Sequence, residues 1–116
     1  MIAKKIEKEL IFDIILFSFG IALISLFYKN NLLLTGLLSV GVLIGMKFWH
    51  KKHDIYFFAI GAIIGPVGEI IAIYFGAWQY ANPSLLGIPI WLPIVWGLAM
   101  ILVKRLAEVF VKIEMK

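Results

Sequence analysis

Cysteine is absent from this chain of 116 residues. Disulfides, thiolate nucleophiles and cysteine-ligated zinc or iron–sulfur centres are therefore excluded. Charged residues are scarce, at 16% of the chain against about 25% in an ordinary soluble domain. Hydrophobic residues reach 63%, and so short a chain could not hide that much apolar surface from water. The composition predicts an integral membrane protein with the lipid bilayer as its main partner.

Four hydrophobic segments approach the length of about 20 residues that a helix needs to cross the hydrocarbon core. They cover residues 10–28, 32–49, 55–78 and 85–103. Short links between them favour antiparallel neighbours, and they lack the polar–apolar alternation of membrane barrel strands. We predict an all-α fold in one membrane domain, an antiparallel bundle of four transmembrane helices. Apolar residues at helical spacing continue into residues 104–116, which predicts an amphipathic cytoplasmic tail.

The lysine and arginine residues predict the orientation of this bundle. Ten of the eleven lie in the two tails or at the middle link, and only Lys29 lies on the other side. By the positive-inside rule both termini are cytoplasmic, which requires an even number of spans. The net charge of +4 is thereby explained as a topology signal in a multi-pass protein of the cell membrane, and no nucleic-acid partner is expected.

Glu69 carries the strongest functional signal, because it lies deep within the third hydrophobic segment. An acid at the centre of a membrane helix costs about 2.5–3.5 kcal/mol on insertion scales, faces the bundle interior and usually marks function. We consider Glu69 a candidate catalytic acid. Counting back from the shared outer link places it level with Trp96, whose indole N–H needs an acceptor. This register predicts a hydrogen bond between the two side chains, and a purely structural role for Glu69 stays open.

Aromatic residues surround this position in the sequence and are candidate ligand-binding residues. They are Trp78, Tyr80, Trp91 and Trp96. A stripe of small residues marks the same segment, at positions Gly61, Gly65, Gly68, Ala72 and Gly76. Small residues let membrane helices approach closely, so the stripe predicts that the third helix is the central packing element. A glycine-lined groove for a flat ligand or a lipid tail is the functional alternative.

The remaining polar residues give weaker signals. Asp13 lies near the cytoplasmic end of the first segment, where a solvated helix-start residue is favoured over a partner role. His50, His53 and Asp54 have the spacing of metal ligands, but the lysines between the two histidines repel a cation, so no metal site is predicted. The sequence has no glycine-rich phosphate loop and no Ser-His-Asp set, and we predict no cofactor.

Residues 65–100 contain a glycine-rich turn, an intramembrane glutamate, a Gly-x-aromatic-x-Tyr element, then Gly-Ile-Pro and a tryptophan. These positions are Gly65, Glu69, Gly76, Trp78, Tyr80, Gly87, Ile88, Pro89 and Trp96. The stretch resembles membrane carotenoid-biosynthesis proteins of the bisanhydrobacterioruberin hydratase type. The resemblance implies chemistry on a long isoprenoid chain, in which an acid protonates a carbon–carbon double bond. Glu69 would be that acid.

Three functions remain open at this point. The first is binding or modification of a lipid or isoprenoid in an intramembrane pocket around Glu69. The second is a small transporter or channel subunit, which would be a homo-oligomer because four short helices enclose little space. The third is a structural subunit of a membrane complex, with a purely structural Glu69. The sequence alone does not decide whether the protein is an enzyme.

Overall fold

The structure, a computed structural model, describes residues 2–49 and 52–114. The side chains of residues 2–7, 9, 48, 49 and 112–114 lie outside that description. The chain forms four α-helices: α1 Ile2–Phe27, α2 Asn31–Trp49, α3 Asp54–Tyr74 and α4 Leu92–Glu114. Over the described ranges the sole β-type pairing is an isolated bridge between Leu85 and Ile88. The predicted all-α fold with four helices is confirmed.

The helix ends differ from the predicted segments on the side opposite the termini. α3 ends at Tyr74 and α4 begins at Leu92, so residues 75–91 form a long loop. The predicted helical segments 55–78 and 85–103 were therefore too long at this side. Gly76 and Gly87 adopt positive φ angles of +84° and +86°, a conformation that ends a right-handed helix and that glycine adopts without strain. Hydropathy alone does not detect such breaks.

The central element of the bundle is α4. The glycine stripe had predicted α3 in this position, and that prediction is wrong. α4 packs against all three other helices, whereas no Cα atom of α3 lies within 8 Å of α1 or α2 in the described ranges. The predicted antiparallel pairing of the second and third helices is therefore wrong. The charged residues give the reason, because Arg105 of α4 forms ion pairs with Asp13 of α1 and with Asp54 of α3. One residue of α4 thus holds two other helices.

Glycines allow the close approach of α3 and α4. A Cβ atom at Gly65 would lie 2.0 Å from Cδ2 of the Trp96 ring, and one at Gly61 would lie 2.6 Å from the Trp96 carbonyl oxygen. From the other side, a Cβ atom at Gly97 would lie 2.6 Å from the Phe58 ring. Two members of the predicted small-residue stripe therefore do serve packing, and their partner is α4 alone.

Within the part of the chain that the structure describes, two helical stretches are long and apolar enough to cross a membrane, Leu10–Phe27 within α1 and the whole of α3. A shorter apolar stretch, Asn31–Lys47, lies within α2. Gly20 is the one buried residue of the α1 stretch, and the buried residues of α3 are Asp54, Gly61 and Pro66. The core is small, and its buried hydrophobic cluster lies near the long loop. The cluster consists of Leu34, Leu38, Ile88, Trp91 and Leu92.

Candidate functional site

The carboxyl group of Glu69 accepts hydrogen bonds from two other parts of the chain. The hydroxyl of Tyr80 donates to Oε1, and the indole N–H of Trp96 donates to Oε2. The predicted contact between Glu69 and Trp96 is therefore confirmed. Tyr80 belongs to the loop of residues 75–91 and Trp96 to the first turns of α4. Glu69 thus joins α3, the loop and α4 at one point.

Local packing holds both donors in place. Trp96 lies flat against α3 because Gly65, one turn before Glu69, has no side chain to displace the ring. Tyr80 packs edge-to-face on Trp91, with 6.2 Å between the ring centroids. Burial, together with the neighbouring Glu69, raises the pKa of the Tyr80 phenol above its ordinary value. Tyr80 therefore keeps its proton at neutral pH and acts as a hydrogen-bond donor.

A groove with a volume of about 360 Å³ runs between α3 and α4 and reaches Glu69. Its α3 wall extends from Ile60 to Glu69, and the nine steps between these residues rise about 13 Å in a helix. Trp96 and Met100 of α4 line the opposite side, and Trp78 of the loop lines it as well. Its volume lies within the range of small-molecule sites, about 300–1,000 Å³. The groove is open along one side and is not an enclosed cavity.

Gly68 shows that the small-residue stripe also forms this groove. A Cβ atom at Gly68 would have no neighbour within 4 Å, so its lack of a side chain serves no contact between helices. Gly68 lies directly before Glu69 and lines the groove. Of the two explanations for the stripe, packing thus applies to Gly61 and Gly65, and an open glycine-lined groove applies to Gly68.

The predicted ligand-binding residues do not all meet there. Trp78 and Trp96 line the groove beside Glu69, and Trp78 is 48% exposed. Tyr80 contacts the Glu69 carboxyl group without being part of the lining. Trp91 lies elsewhere, because it is only 5% exposed within the core, and its indole N–H donates to Oδ1 of Asn31 at 3.1 Å. The candidate set at the groove is therefore smaller than the sequence had predicted.

Asparagine side chains tie the long loop to the turn between α1 and α2. The Asn31 amide group donates to the backbone oxygen of Asn82 at 2.8 Å and to the Ser84 hydroxyl at 2.6 Å. The Asn82 amide group donates in return to the backbone oxygens of Lys29 at 3.0 Å and Tyr28 at 3.2 Å. These bonds fix the loop that carries two of the candidate site residues. Asn31 was not among the residues predicted from the sequence to form the site.

A buried charged cluster at the other end of α3 was also missed. Arg105 is 1% exposed and Asp54 2% exposed, and the two are joined by bonds of 2.6 Å and 3.1 Å. Lys104 adds a bond of 2.7 Å to Asp54, Asp13 lies 3.1 Å from Nε of Arg105, and Glu108 lies 3.4 Å from Nη1. Asp13 is therefore a partner in this cluster, and the favoured interpretation of a solvated helix-start residue is wrong.

The signal for this cluster was present in the topology. In an up-down bundle the starts of the first and third helices and the end of the fourth lie at the same side, which places Asp13, Asp54 and Arg105 together. Asp54 and Arg105 had been interpreted as link and tail charges. His50, part of the metal alternative, lies outside the described residues. Within the described part of the chain, no group of three His, Asp or Glu side chains is placed to hold a metal ion.

No protein-family model, curated protein or solved structure matches this chain. The site must therefore be interpreted from its own geometry. That geometry places a carboxyl group, oriented by two neutral donors, at an apolar groove that opens along the side of the molecule. Such a site can accept a hydrogen bond from the polar end of a bound molecule whose chain lies in the groove.

Proposed function

We propose that this chain is a multi-pass membrane protein that binds a lipid or isoprenoid in the groove between α3 and α4, with Glu69 at the polar end of the ligand. One observation carries the proposal: the groove is apolar along its length and reaches an acid. Sites for small molecules typically combine apolar walls with a few placed polar groups. The opening along the side lets a hydrocarbon chain enter directly from the bilayer.

The exposed surface supports a membrane environment for the helices. Large side chains such as Leu26 and Tyr74 are 75% and 83% exposed, and Gly20 is the one buried residue in the stretch Leu10–Phe27. Soluble monomers rarely expose apolar patches larger than a few hundred Å². In this proposal all four helices cross the cell membrane, and the positive-inside rule places both termini in the cytoplasm.

An isoprenoid is favoured over other lipids by the residues that gather at the groove. Glu69, Trp78 and Trp96 line it, Tyr80 contacts Glu69, and all four belong to the stretch that resembles carotenoid hydratases. Aromatic rings also suit the flat double bonds of an isoprenoid chain. If the protein is an enzyme, Glu69 is its acid.

A structural role is the second candidate function, and one observation favours it. Both carboxyl oxygens of Glu69 already accept hydrogen bonds, from Tyr80 and from Trp96. A carboxyl group that only joins α3, the loop and α4 would serve a subunit of a larger membrane complex. This role explains the bonds but gives no reason for the open space at Gly68. A transporter has less support, because the groove lining in the described residues is apolar apart from Glu69.

The two functions are separated by filling the groove. Leucine at Gly68 would project into the groove without meeting any protein atom within 4 Å of its Cβ. We expect the G68L variant, reconstituted in nanodiscs, to lose labelling by a photoreactive farnesyl probe while the wild type is labelled at groove residues. G36L is the matched control, because Gly36 also has no neighbour within 4 Å and lies on α2. Equal labelling of wild type and G68L would refute ligand binding in the groove.

A further inference from the structure

We infer that the groove selects a ligand whose polar end donates a hydrogen bond, an alcohol or an amine, and excludes ligands that end in a carboxylate or a phosphate. This inference rests on the proposed function and adds the chemistry of the end group. It follows from the charges near Glu69 and from the hydrogen bonds that Glu69 already makes.

The charges around the groove disfavour an anion. Among the described residues that line it, Glu69 is the only ionisable side chain, and no described basic side chain forms an ion pair with it. Lys104 and Arg105 of the charged cluster are engaged with Asp54 at the first residue of α3. Fifteen residues of helix separate Asp54 from Glu69, a rise of about 22 Å. An anionic end group would therefore meet a carboxyl group without a compensating positive charge.

The hydrogen bonds of Glu69 lead to the same selection. A carboxylate offers about four acceptor positions on its two oxygens. Tyr80 occupies one on Oε1 and Trp96 one on Oε2, so acceptor capacity remains on a side chain that lines the groove. Both donors have used their single proton on Glu69, and neither can bind an anion as well. The group that Glu69 itself can still satisfy is a donor.

Trp78 distinguishes an alcohol from an apolar chain end. Its indole N–H is a donor on a side chain that lines the same groove, and indole has no acceptor atom. A hydroxyl group both donates and accepts, so it can use the Glu69 carboxyl group and the Trp78 N–H together. An amine retains the bond to Glu69 and adds a favourable charge. A bare hydrocarbon end uses neither group.

The test uses the wild-type protein in phosphatidylcholine nanodiscs and four competitors with the same 15-carbon chain. Farnesol, farnesylamine, farnesoic acid and farnesyl phosphate compete with the photoreactive farnesyl probe at pH 8, and labelling of G68L is subtracted as background. We expect the alcohol and the amine to displace the probe at concentrations at least tenfold lower than the acid or the phosphate. Equal potency of farnesol and farnesoic acid would overturn the inference and leave the proposed function intact.

Failure of the proposed function gives a different result. In that case the probe labels wild type and G68L alike and no competitor displaces it, which removes the inference as well. The W78F variant provides a second measurement that leaves Glu69 unchanged. We expect W78F to weaken displacement by farnesol more than displacement by farnesylamine. An equal effect on both compounds would remove Trp78 from the selection.

Discussion

Replacing Arg105 with methionine is expected to destabilise the bundle by about 3–5 kcal/mol, the cost of breaking a buried ion pair by removing one partner. Arg105 is 1% exposed and pairs with Asp13, Asp54 and Glu108. Methionine fills similar space but leaves Asp54 buried with Lys104 as its remaining basic partner in the cluster. The loss of stability therefore comes from the buried carboxyl group of Asp54, which has lost its main partner, and not from a cavity.

Three further variants divide this magnitude into its causes. R105K keeps the charge but cannot form both hydrogen bonds to Asp54, so we expect it to lose less stability than R105M and more than none. The double variant R105M/D54L should be more stable than R105M alone, since replacing a whole buried pair with apolar residues is often neutral. E108Q is the comparison variant, because Glu108 is 30% exposed and Asp54 only 2% exposed, so water compensates its loss better and we expect a smaller effect.

Stability can be measured by reversible unfolding in mixed micelles, with helix content followed by circular dichroism. A loss of less than about 1 kcal/mol in R105M, similar to that of E108Q, would show that the cluster does not hold the helices together. A double variant as unstable as R105M would show that size, and not charge, decides the effect.

Three other predictions concern the groove side of the molecule. G65A should lower the free energy of unfolding by about 1–3 kcal/mol, because its Cβ would meet the Trp96 ring. G68A should leave the free energy of unfolding unchanged or raise it by up to about 1 kcal/mol. Equal melting temperatures of the two variants would contradict the packing at Gly65. Y80F removes one hydrogen bond to Glu69 and should cost about 1 kcal/mol, with unchanged stability as the contrary result. N31A leaves the indole N–H of a buried tryptophan without its acceptor and should cost about 1–3 kcal/mol, with faster hydrogen exchange in residues 75–91; unchanged exchange would show that the loop is held by other contacts.

The number of helices could be predicted from the sequence because each is an apolar run bounded by polar links. The contact between Glu69 and Trp96 could be predicted too, since antiparallel segments that share a link have a countable register. The predicted register of Glu69 and Trp96 is correct although residues 75–91 form a loop. The loop turns the chain back, so that the start of α4 lies beside the part of α3 that carries Glu69. Such local signals depend only on hydropathy and spacing.

The position of α4 at the centre could not be predicted in this way. It depends on Arg105, whose acidic partners lie 51 and 92 positions earlier in the sequence, and no periodic pattern marks pairs at that distance. The bounds of the loop could not be predicted from hydropathy, because its hydrophobic residues are as apolar as those of a helix, although glycine and proline predict an irregular outer half of the fourth segment. Gly87 and the prolines Pro89 and Pro93 carried the relevant information, since they restrict or free the backbone without changing hydropathy.

The packing of α3 against α4 alone has a consequence for how the chain assembles during synthesis. α1 and α2 contact each other and can pair as soon as both have left the ribosome. α3 emerges next, and its described residues make no packing contact with α1 or α2, so it has no helical partner until α4 is made. The last helix therefore completes the tertiary structure in a single step, and a chain interrupted before Leu92 would leave its third helix unattached.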